Sequence, residues 1–170
     1  VAEMNALMDE QIEKECKPDM KTYRFGDLLH WGEAYRNLID NPEVEPYLVE
    51  LLGPTFRLDH DYAEIMRPDA GSLGRTLHAA RFPFDPTQYF KFLQGRMYNG
   101  LTVVAYNLKD VNPGDGGFRC VPGSHKSNYA FPEEWRSPDN KQPVVESITG
   151  SAGSAVIFTE ALTHGTMSWY

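Results

Sequence analysis

The chain has 170 residues, 41% of them hydrophobic and 24% charged, which is enough for one domain with a packed core. A formal net charge of −8 and a pI near 5.1 argue against a nucleic-acid surface, which needs a basic stripe. No stretch approaches the roughly 18 consecutive apolar residues of a membrane span, and the acidic N-terminus VAEMNALMDEQIEKEC is unlike a secretory or transit peptide.

In chain order, Ala2 to Lys14 carries apolar residues at helical intervals, and a second helix fits Gly32 to Ile39. DNPEVEPYLVELLG predicts a third, with Asn41 as N-cap, Pro42 at the first helical position, Pro46 within the first turn and Gly53 as the stop. After Gly53 the period changes. FRLDHDYAEIM alternates like a strand and ends in the turn RPDAGS; RTLHAARF reads as a second, short strand. DPTQYFKFLQGR reads as a loop with a helical turn, and MYNGLTVVAYNLKDV as one long β-branched and aromatic strand. NPGDGG is a turn, FRCVPGS a strand and turn, and PVVESIT and GSAVIFTE are the last two strands. Helices followed by short strands indicate an α+β chain, mainly β, with a sandwich or barrel core. We expect a single domain, with a helical part over 1–53 and the β core over 54–170. Cys16 and Cys120 read as two reduced thiols of a cytoplasmic protein rather than a disulfide. A start at Val and a stop at SWY, just after a histidine-bearing segment, read as a fragment.

Five histidines are available for chemistry. His30, in LLHWGEA, suits a capping or core role. His60 is flanked by Asp59 and Asp61, but neighbours on a strand point to opposite faces, so DHD cannot readily chelate one ion. His78 and His164 each end a predicted strand among small residues, LHAA and THGT, which leave room for an ion, its waters and a substrate. Two neutral imidazoles plus a carboxylate make the facial triad of non-heme Fe(II) oxygenases; by spacing alone the signal is weak, and two structural histidines are the better reading. Gly114, Gly116 and Gly117 suit a turn with positive φ better than a phosphate cradle, since no GK[ST] follows. Ser124 and His125 suit a turn fixed by Pro122 and Gly123, with His125 near the rim of a site, better than a nucleophile and its base. Tyr98 and Tyr106, eight apart on one predicted strand, share a face and either line a pocket or fill the core.

The run GLTVVAYNLKDVNPGDGGFRCVPGSHKSNY, followed by GSAVIFTEALTHGTMSW, resembles the phytanoyl-CoA dioxygenase family over roughly Leu58 to Trp169. The resemblance implies a double-stranded β-helix (jelly roll) that binds Fe(II) and 2-oxoglutarate. It also implies a reaction in which one atom of O₂ enters a small organic substrate while the co-substrate is decarboxylated to succinate and CO₂. The family's proximal histidine falls on His78 and its distal one on His164. The hydroxyl residue that contacts 2-oxoglutarate falls on Thr166. Two departures stand out. The proximal motif here is His78-Ala79-Ala80, with Ala80 at the aspartate position, and the chain stops before the arginine that anchors 2-oxoglutarate, as it would if the last strand lay beyond Tyr170. Three readings of the empty position follow. Asp85 folds back to complete the triad; or water or halide fills the site, as in halogenases of this fold; or iron is lost and the jelly roll serves as a non-catalytic small-molecule binding module. The acidity of the chain favours a free small organic substrate over a CoA thioester, whose phosphates want basic residues. No nucleic acid or membrane is expected as partner.

Overall fold

A computed structural model describes residues 1–68, 76–79, 85–137 and 142–170. Its first element is helix α1 (Ala2–Glu15), which buries Met4 and Met8. Strand β1 (Thr22–Gly26) follows, then a 3₁₀ turn over Leu28–Trp31 and the single-turn helix α2 (Glu33–Arg36). The N-terminal part is therefore not all helical: β1 pairs antiparallel with β2 (Tyr62–Met66), so Phe25 sits opposite Ala63. TYRFG places Phe25 inward, 2% exposed, and the helices pack over it. Helix α3 (Glu45–Leu52) starts three residues later than Pro42 suggested. Asn41 instead folds a turn on itself: its carbonyl accepts from Val44 and Glu45, both at 2.9 Å, and its Oδ1 from the Glu43 N–H at 3.1 Å. Gly53, at φ 85°, ends α3 as expected.

The segment read as a loop with a helical turn is a hairpin, β3 (Phe90–Leu93) and β4 (Arg96–Asn99). Its two-residue turn holds Gln94 at φ 51° and Gly95 at φ 77°, the twist that a tight hairpin needs. The long strand predicted through Tyr98 and Tyr106 is broken at Gly100. A Cβ there would lie 2.2 Å from the Thr87 carbonyl, and Leu101 N–H donates to that same oxygen at 2.6 Å. Tyr98 and Tyr106 thus belong to different strands, in different sheets, and the shared face expected of one continuous strand does not follow.

The core strands are β5 (Thr102–Tyr106), β6 (Gly117–Cys120), β7 (Glu146–Ser147), β8 (Ala155–Thr159) and β9 (His164–Met167). β5 pairs with β8, and β6 lies between β7 and β9, all antiparallel. Consecutive strands β5 and β6 fall in different sheets, and each pairs with a strand three further along, the interleaving that a jelly roll requires. Between β5 and β6 the GDGG turn runs through Gly114, Gly116 and Gly117, all with positive φ, as the sequence implied. Phe118 of β6 meets Phe158 of β8 at a centroid distance of 4.6 Å, so these faces look toward each other across the two sheets. Of the short strand expected over RTLHAARF, residues 76–79 contribute a single bridge at His78; Ala80 and residues 81–84 lie outside the described residues.

Candidate metal centre

β9 has β6 on one edge and His78 on the other. Toward β6, Cys120 stands opposite His164 and Phe118 opposite Thr166. The period of two puts these four side chains on the face that looks toward β8, and Arg119 and Gly165 on the other. Toward the other edge, His78 and His164 exchange both backbone hydrogen bonds, each 2.8 Å long. Directly opposed residues of an antiparallel pair share a face. The imidazoles consequently meet, with ring centroids 4.3 Å apart and planes inclined at 57°.

Both rings are oriented in the same way. His78 Nδ1 lies 2.9 Å from the Thr76 carbonyl, and His164 Nδ1 lies 2.7 Å from the Leu162 carbonyl. A carbonyl oxygen only accepts, so each Nδ1 carries the proton and donates; in the neutral ring Nε2 then keeps its lone pair. A fixed tautomer with a free Nε2 is how metal-binding histidines are prepared. His164 is 7% exposed and packs against Phe158 at 4.8 Å and Phe118 at 5.9 Å, whereas His78 is exposed. Burial, the largest influence, holds the His164 pKa below its usual 6.5; the Leu162 carbonyl pulls it back up, His78 lowers it further and Glu160 raises it. The donor set therefore suits a borderline divalent ion of the first transition row.

The remaining candidates are distributed as follows. Thr166 lies two residues beyond His164 on the same face. Asp85 Oδ1 accepts from the Thr87 backbone N–H at 2.8 Å and from its hydroxyl at 2.6 Å, closing a local turn. Among the described residues, no three His, Cys, Asp or Glu side chains gather closely enough to hold a metal ion as they stand. One carboxylate that sequence reading passed over does approach the pair: Glu160 Oε1 is 3.9 Å from His164 Nε2. An acidic residue closing the otherwise apolar run AVIFT was the available signal. His60 lies outside any strand, 2.8 Å from Asp59 and stacked on Tyr62, so the pair is a surface contact. His30 is exposed on its 3₁₀ turn rather than capping or core.

Ser124 is structural. Its Oγ accepts from the Thr163 N–H at 2.8 Å and pins the PGSH turn to the approach of β9. His125 packs edge-on against Phe90 at 4.6 Å, and burial lowers its pKa. It lines a cavity of about 210 Å³ with Asn99, Thr102, Phe158 and Leu162. A larger cavity, about 500 Å³, lies between Val44, Tyr47, Tyr106 and Ile157; neither is lined by His78 or His164. The two thiols are free, and burial raises the pKa of Cys120, which stands opposite His164.

A jelly roll with two proton-directed imidazoles on adjacent backbone segments, facing the opposite sheet, is the frame of the non-heme metal oxygenases. The chain belongs to the phytanoyl-CoA dioxygenase family, whose profile matches residues 30–168, and is of the 2-oxoglutarate-dependent dioxygenase class. Among solved structures it is similar to HygX from Streptomyces hygroscopicus with nickel and 2-oxoglutarate bound. The TM-score is 0.78 at 22% identity, over 99% of this chain and 72% of that one. HygX with iron bound gives a TM-score of 0.72 at 22% identity, covering 99% and 72%. HygX with nickel, 2-oxoglutarate and hygromycin B bound gives 0.72 at 22% identity, covering 99% and 73%. A search of curated proteins finds no match. Iron and 2-oxoglutarate are thus the cofactors that family and fold indicate.

Proposed function

We propose that this chain hydroxylates a small organic substrate, with His78 and His164 as iron ligands and Thr166 beside the 2-oxoglutarate. The observation that supports it best is the pair of imidazoles, 4.3 Å apart, each with Nδ1 committed to a backbone carbonyl and Nε2 left as a donor. Bound iron with 2-oxoglutarate supplies the O₂ chemistry; the chain's own part is to hold, orient and dry the site. Phe118 and Phe158 provide an apolar wall behind His164. The complex of HygX with hygromycin B supports a small organic molecule as substrate. We further read the chain as one domain and, with free thiols at Cys16 and Cys120, as cytoplasmic.

Anaerobic titration with Fe(II), or Co(II) in its place, tests the site, and succinate release under air tests the chemistry without knowledge of the substrate. We expect binding and uncoupled succinate with the unmodified protein, and neither with His164→Ala. Absence of any Co(II) binding would sink the proposal. A non-catalytic binding module is the second reading, favoured by the lack of a closed three-residue set among the described residues. It requires succinate no higher than the metal-free blank.

A further inference from the structure

We infer that Glu160 supplies the anionic ligand of this metal centre, from the turn that leads into His164 rather than from a residue beside His78. The inference rests on the metal site proposed above. A separation of 3.9 Å between Glu160 Oε1 and His164 Nε2 is too long for a hydrogen bond. The proton on His164 is in any case directed at the Leu162 carbonyl by Nδ1. Two donors sharing one ion at bond lengths of about 2.1 Å sit roughly 3.0 Å apart when cis and roughly 4.2 Å when trans. The observed gap falls between those limits, so both atoms lie within reach of one ion.

Charge points the same way. Two neutral imidazoles leave a divalent ion uncompensated, and one carboxylate completes the usual two-histidine, one-carboxylate set. Glu160 is 17% exposed, and among the described residues it pairs with no Lys or Arg. Asp85, by contrast, is turned to Thr87. The backbone around Glu160 is fixed from several sides. Its N–H donates to the Leu101 carbonyl at 2.9 Å, Leu162 N–H to the Thr159 carbonyl at 2.9 Å, and Thr163 N–H to Ser124 Oγ at 2.8 Å. With the backbone pinned, the side-chain torsions of Glu160 are what would bring its carboxylate, now 3.9 Å from His164 Nε2, onto the ion. Ala80 then needs no replacement: the negative charge that an aspartate would bring arrives from the other end of the ladder.

The test is Co(II) binding to the complete chain by calorimetry and by the visible d–d spectrum, at about 0.15 M ionic strength to screen the acidic surface. The variants are Glu160→Gln, Asp85→Ala and His164→Ala. Glu160→Gln keeps the shape of the side chain and removes its charge. It is expected to weaken Co(II) about tenfold or more and to shift the d–d bands, with Asp85→Ala close to unmodified protein. Equal affinity and an unchanged spectrum for Glu160→Gln, in a protein that binds Co(II) and loses it with His164→Ala, overturn this inference and leave the proposed site intact. If the unmodified protein binds no Co(II), the site and the inference fall together. Should Glu160→Gln unfold, the test passes to Glu160→Asp, which keeps the charge on a shorter arm. Retained Co(II) affinity with shifted bands then supports ligation; unshifted bands overturn it.

Discussion

His78 and His164 enter the site on unequal terms. His164 is 7% exposed and wedged against Phe118 and Phe158, while His78 is exposed, its ring held by the Thr76 carbonyl and set against His164. Either alanine substitution should abolish metal binding, but only one should disturb the metal-free fold. We expect His78→Ala to change apo stability by less than about 0.5 kcal/mol, the range of surface substitutions, and His164→Ala to cost more than about 1 kcal/mol, as urea midpoints will report. The same burial predicts a pH dependence. His164 and His125 both have folded-state pKa values held below the usual 6.5 by burial. The unfolded chain takes up those protons more readily, so their contribution is present in full above pH 6.5 and is lost as pH falls below it. The apo protein should therefore have a lower urea midpoint at pH 5.5 than at pH 7.5, with a smaller drop in His125→Gln. Coincident midpoints would contradict the burial.

At the scale of elements, the turns carry the precision. Gly116 sits at φ 107° with the Ser168 carbonyl 2.1 Å from where a Cβ would be, so the β5–β6 turn and the end of β9 approach as only glycine allows. Gly116→Ala should cost more than about 2 kcal/mol, read from thermal unfolding. The division into helices and then strands was legible because periodicity changes at Gly53. The jelly-roll class and the histidine pair were legible through the family resemblance of the GDGG-to-PGSHK run and of THGT, to which the small neighbours of His78 and His164 only added. Other features were not. The break at Gly100 is imposed by the Thr87 carbonyl, a contact that no local propensity encodes, and the sequence around it is continuously β-prone. The β3–β4 hairpin turns on Gln94 at positive φ, a conformation that glutamine does not advertise. Strand β1 is five residues inside a helical neighbourhood, and its partner β2 lies far along the chain. Glu160 was hidden for the same reason: its relation to His164 is set by how a turn folds.

Across the molecule, the N-terminal elements form a separate apolar cluster that braces the sheets. Tyr23, Phe25, Trp31 and Tyr35 meet edge to face at 4.7, 5.3 and 5.3 Å, with Met4 and Met8 of α1 closing over them. Tyr35 donates to the Met4 carbonyl at 3.0 Å, and burial pushes its pKa up to about 12. Asn5 then reaches across to the Leu108 carbonyl at 2.8 Å, joining α1 to the segment that leaves β5. This cluster shares no residue with the imidazole pair. Met8→Ala should accordingly lower the unfolding free energy by about 2–5 kcal/mol, yet leave Co(II) affinity of the folded fraction unchanged. A matching loss of affinity would mean that the brace also shapes the site.

The reciprocal hydrogen bonds of His78 and His164 have a kinetic corollary. Among the described residues, His78 meets His164, the first residue of β9, through one isolated bridge. A single bridge is the kind of contact that opens locally, and on the proposed site an ion held by both side chains would close it like a clasp. In amide exchange, the His78 and His164 N–H groups should trade deuterium slowly when the metal is present and quickly once a chelator removes it, while β5–β8 amides keep one rate throughout.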